Sequence, residues 1–203
     1  MYKNQIDRYL KAALVIIIIV IGTNAAFSQI NYFKTNGESN VKITGTSSLH
    51  DWQMYAPIVD CSLGIKNSSK GNSIELIDIE FQLAVDHLKS EHKKMDDIAQ
   101  KALKINDFPN ISFQSTTPQI ILINNGDTQN KVKGTLEIAG VEKEIELIVL
   151  SAKKDESGLQ FKFSFPIIME DYQVKPPSFM FGTVTTGSEI IASFDLYFNK
   201  LNQ

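Results

Sequence analysis

Cysteine is almost missing from this chain. Its 203 residues include one, Cys61, so no internal disulfide can form and stability must come from packing and hydrogen bonds. A charge excess is missing too: 20 basic residues against 23 acidic ones leave a net −3. That balance excludes the strongly basic footprint of a nucleic-acid binder. Histidine is scarce, and no paired cysteines, G-x-S-x-G elbow or G-x-G-x-x-G fingerprint occurs. GTVTTGS (182–188) falls short of a phosphate loop, because Ser188 stands where the lysine belongs and a strand pattern follows. His87 and His92, with Asp86 and Glu91 nearby, lack the i, i+4 spacing of a zinc helix and read as solvated charge. The sequence therefore points away from an enzyme and implies neither a metal nor a resident cofactor.

Long apolar runs are equally rare. The one run, Ala12 to Ile21, follows Lys3, Arg8 and Lys11 and precedes Ala26 and Ser28. It is about half of the ~20 residues a membrane-spanning helix needs. A basic start, a short apolar stretch and small residues at −3 and −1 are the parts of a secretory signal peptide. The expectation is a signal peptide over 1–28, cleavage near Gln29, and one domain over 29–203 in the periplasm or outside the cell.

What is present is alternation. Val59, Cys61, Leu63 and Ile65 share one strand face, as do Ile77, Ile79, Phe81, Leu83 and Val85. Val132, Leu136 and Ile138 follow, with Gly134 in a place that suggests a bend or a close backbone approach. Leu159, Phe161, Phe163 and Phe165 alternate up to Pro166, and Ile190, Ala192, Phe194, Leu196 and Phe198 form the last apolar face. Residues 30–40 read as a polar arm. Only one stretch changes period: Met95, Ile98, Ala99, Ala102 and Leu103 fall on one helical stripe behind Ser90, a candidate N-cap. Eight or nine strands at hairpin spacing without a parallel crossover predict an all-β antiparallel sandwich or barrel, with that amphipathic helix capping it.

Three segments carry a family resemblance. The run from Asp86 to Thr116, ending NDFPNISFQST, leads from the helix into a strand, KGTLEIAGVEKEIEL (133–147) turns through a glycine, and SSLHDW (47–52) is a weaker early match. In this order they resemble the YceI-like family of lipocalin-like, polyisoprenoid-binding, exported bacterial proteins. The segment DYQVKPP (171–177) departs from the commoner pattern. The resemblance implies a single eight-stranded antiparallel lipocalin-like barrel with an apolar tunnel. It also implies non-enzymatic binding, storage or transport of an isoprenoid, a quinone or a similar long apolar molecule in the cell envelope. The alternative is a structural or stress-related barrel with a filled core that acts through protein partners. Neither reading involves nucleic acid. Transient contact with a membrane or membrane protein fits both, and the oligomeric state stays open, with a homodimer among the alternatives.

The site candidates follow from the inward faces. Trp52, Phe81, Leu83, Phe113, Phe161, Phe163, Phe165 and Phe194 are either ordinary core or tunnel wall. Phe179 and Phe181, beside Met180 in an irregular stretch, are candidates for the tunnel mouth. His50 and Asp51, as neighbours on an expected strand, would point to opposite faces and could not act as base and orienting acid. His50 is therefore read as a hydrogen-bonded histidine or a contact for a ligand head group.

Overall fold

Eight strand positions close into an antiparallel barrel. The computed structural model describes residues 29–67, 72–123, 130–155, 158–179 and 182–201. The expected signal peptide lies outside them. In chain order the strands are β1 (Ile30–Thr35), β2 (Asn40–Ser47), β3 (Trp52–Ala56), β4 (Asp60–Asn67), β5 (Ser73–Ala84) and β6 (Asn110–Ser115). They continue with β7 (Gln119–Leu122), β8 (Asn130–Ile138), β9 (Val141–Lys154), β10 (Leu159–Ile168), the two-residue β11 (Ser178–Phe179) and β12 (Val184–Lys200). The helix α1 (Lys93–Ala102) is inserted between β5 and β6.

Three of the eight positions are interrupted strands. β1 and β2 both pair along β12, β3 and β4 succeed one another along β2 and β1, and β6 and β7 both pair along β5. An interruption leaves ladder groups open, and side chains splice them. Thr35 Oγ1 donates to Val59 O and accepts from Cys61 N. Ser39 Oγ does the same for the two backbone groups of Tyr197. Two amides bridge β7 to β8: Gln119 binds both backbone groups of Lys133, and Asn130 binds both of Leu122.

Three expectations are corrected. Residues 30–40 are not an arm, because β1 pairs with both β4 and β12 and closes the ring. Only Phe33 of its six residues is buried, so its hydrophobic pattern is faint. In β5 the pairing passes from Leu63↔Ile79 to Ile65↔Leu76, which leaves one extra residue on β5. This bulge flips the inward face, so Leu76 and Ile74 are buried instead of Ile77. Pro166 does not end its strand. Beyond Ser164 no β9 partner follows, and Pro166 pairs only with Ile191 of β12, so its missing N–H leaves no ladder bond broken.

The helix forms where the stripe places it, with a different cap. His92 is the N-cap residue and makes no side-chain cap bond. Ser90 instead donates its N–H and its hydroxyl to the buried carboxylate of Asp96, both at 2.7 Å. The whole stripe, Met95 to Leu103, faces the barrel interior at the end that also carries the β2–β3 turn and residues 169–178. Leu103→Asp would place a charge against apolar walls and is expected to lower stability by about 1–3 kcal/mol. An unchanged denaturation midpoint would show that α1 does not close this end.

Candidate functional site

The barrel interior is filled at one end and hollow at the other. At the end of the β4–β5, β7–β8 and β9–β10 connections, Phe33, Ile65, Ile74, Ile121, Val149 and Leu159 form a solid plug, each 8% exposed or less. Above it lies a cavity of about 480 Å³ whose mouth is at the α1 end. Its floor includes Phe161 and Phe198, whose rings meet edge to face at 5.8 Å.

Trp52, Phe81, Leu83, Phe113, Phe161, Phe163, Phe165 and Phe194 all line this cavity. Phe161 and Phe163 stack with centroids 6.0 Å apart, and Phe81 meets Phe194 edge-on at 5.5 Å. Phe163, Phe165, Phe194 and Trp52 stay partly accessible although they point inward, because the space before them is empty. Phe179 pairs its backbone with Val184. Its side chain, with Met180 and Phe181, lies outside the described residues.

Two of the large rings rest on glycines. A Cβ on Gly45 would lie 2.3 Å from the Trp52 indole, and one on Gly134 would lie 2.3 Å from the Phe113 ring. Only a residue without a side chain leaves room there. The close backbone approach anticipated at Gly134 is to the Gln114 carbonyl oxygen, 2.4 Å from such a Cβ, with the Phe113 ring beside it.

Polarity is confined to the rim. Ser47, His50, His92, Lys94, Ser178 and Thr186 edge the mouth, and below it the walls are apolar apart from the Cys61 thiol, the Tyr172 phenol and the Trp52 indole N–H, which is already given to the Thr46 carbonyl, while Met54, Met95 and Met169 add only thioether sulfur. His50 and Asp51 belong to a turn and not to a strand, which begins at Trp52. The expected opposition of their side chains therefore does not apply. His50 Nδ1 lies 2.7 Å from the Asp51 carbonyl oxygen, which can only accept, so Nδ1 carries the proton. No group of three metal-ligating side chains occurs among the described residues.

Burial, with a smaller contribution from the Asp60 charge, raises the Cys61 thiol well above the ordinary thiol range. The folded protein is expected to resist a disulfide reagent at pH 8 and to react fully once denatured. Modification at the rate of a free thiol would show that the barrel opens readily. Burial, then the Asp171 charge, likewise pushes the Tyr172 phenol up to about 12.

Alternation alone does not locate every wall residue. Leu76 was hidden by the bulge, and Met169, Tyr172 and Val174 approach the cavity from a 3-10 turn and the loop after it. That region has no period to read. The Gly45–Trp52 and Gly134–Phe113 notches mark only wall residues that the sequence already names.

A family model described as "YceI-like domain" matches residues 25–198. The chain belongs to the YceI-like family. No curated protein sequence matches it. Among solved structures it is similar to BcnA of Burkholderia cenocepacia, with a TM-score of 0.61 at 15% identity over 80% of this chain and 98% of that one. It is also similar to a polyisoprenoid binding domain from Saccharophagus degradans, described as implicated in plant cell wall breakdown, with a TM-score of 0.60 at 11% identity over 85% of this chain and 100% of that one. The Campylobacter jejuni YCEI protein gives 0.51 at 18% identity, over 71% of this chain and 82% of that one. At these identities the likeness is one of fold.

Proposed function

We propose that this YceI-like barrel binds the hydrocarbon chain of an isoprenoid, or of a quinone carrying one, as a non-enzymatic carrier or store in the cell envelope. The cavity carries the reading. Void in a rigid core costs about 24 cal/mol per Å³, so 480 Å³ left empty would cost at most about 12 kcal/mol. Whole domains are stable by only about 5–15 kcal/mol. Water is a poor filler here, since an ordered water needs several polar partners and the walls below the rim supply almost none. Each CH₂ of an apolar guest gains about 0.8 kcal/mol instead. The polar rim would hold a head group at the surface, with His50 Nε2 among its acceptors. The polyisoprenoid binding domain of similar fold supports the choice of guest.

A barrel filled throughout would have favoured the alternative of a purely structural envelope protein, and only the plugged half fits that. Export is part of the proposal, supported by the charged start, the apolar run and the Ala26/Ser28 pair. N-terminal sequencing of protein from its host should begin near Gln29. Solvent extraction and mass spectrometry of the natively purified protein should yield a prenyl compound in near-equimolar amount. A protein that carries none and takes up no added farnesol would end this reading.

A further inference from the structure

The plug beneath the cavity has a consequence for which chains fit. Phe33 of β1, Ile65 of β4, Ile74 of β5, Ile121 of β7, Val149 of β9 and Leu159 of β10 close that end from six positions around the ring. None of them borders the cavity, while Phe161, Phe198, Val132 and Leu76 just above them do. A guest entering beside α1 therefore meets a floor. From Ile167 near the mouth to Phe161 the β10 strand rises ~20 Å at about 3.3 Å per residue, which a ~40° strand tilt shortens to about 15 Å along the axis.

We propose that the barrel is a blind-ended pocket that selects by chain length, holding about three isoprene units and leaving any further units outside. The depth sets that number. Each isoprene unit adds four chain bonds, which advance an extended chain by ~5 Å at about 1.5 Å per bond, so about 15 Å of depth takes three units. This rests on the proposed binding of an isoprenoid and names the length class that the same site takes. Phe161 and Val132 are the residues that set the floor, one by its bulk and the other by its smallness.

The test is a series of prenyl alcohols: geraniol, farnesol, geranylgeraniol and solanesol, with two, three, four and nine units. Each is delivered from cyclodextrin to the delipidated protein. Trp52, the single tryptophan, lines the cavity, so its emission reports occupancy. Affinity should rise by about tenfold or more from two units to three, as five more carbons leave water, and then change by less than about threefold up to nine. Val132→Phe adds a net four carbons at the floor and should move the plateau down to two units. Phe161→Ala removes six and should move it up to four; where that variant does not fold, Val132→Phe carries the test. Affinity that keeps climbing to solanesol, or a break point that neither variant moves, would overturn the length selection while leaving isoprenoid binding intact. Absence of binding along the whole series would instead overturn the proposed function.

Discussion

Phe163→Trp weakens farnesol binding by about 2 kcal/mol, some thirtyfold, while the ligand-free protein keeps or gains thermal stability. Phe163 points from β10 into the hollow half of the barrel and is only partly buried. The indole adds three ring atoms, or ~90 Å³ at about 30 Å³ each, to a space of about 480 Å³. Roughly three carbons of guest are displaced, each worth about 0.8 kcal/mol. The ligand-free barrel loses void in the same step, which favours folding. In a solid core the same change would overpack and cost about 1–3 kcal/mol. Calorimetric unfolding and a farnesol titration of the variant separate the two. Lower stability with unchanged binding would mean that the space before Phe163 is not where the guest sits.

The second large effect lies one pleat deeper. Phe161→Ala is expected to destabilise by about 3–5 kcal/mol, as for a fully buried aromatic. Phe163→Ala should cost about half of that, because part of its ring already borders empty space. Phe161 is 1% exposed and touches both Phe163 and Phe198, so truncation opens a hole where the plug meets the cavity. Equilibrium denaturation of both variants measures the difference. Equal losses would contradict a barrel that is solid below Phe161 and hollow above it.

Both predictions use residues that the sequence had already placed on one strand face. Alternation at Phe161, Phe163 and Phe165, and again from Ile190 to Phe198, identifies that face without any structure. An apolar row on a pleated strand can bury itself only on one side of the sheet. The α1 stripe was legible for the same reason at the helical period, and the three segments 47–52, 86–116 and 133–147 were enough for the family. The lack of paired cysteines and of metal or nucleophile motifs also narrowed the function classes before any geometry entered.

The rest depended on contacts remote in sequence. β1 closes the ring through β4 and β12, so its role rests on partners about thirty and a hundred and sixty residues away. A lone buried Phe33 gives no local sign of that. The bulge opposite Leu63–Ile65 exchanges Ile77 for Leu76, and a one-residue slip of this kind depends on how two strands pair, not on either strand alone. Asp96 displaced Ser90 as the feature that orders the start of α1, because a buried carboxylate within reach of two donors outweighs local capping preference. Above all, the same alternating pattern marks Phe161 and Phe163, yet one closes the plug and the other faces open space. By itself the sequence determined most of the side chains that point inward, the bulged half of β5 excepted. Whether they meet in the middle was decided only by the assembled barrel, since filling depends on the sum of side-chain volumes contributed at each level by all eight strand positions.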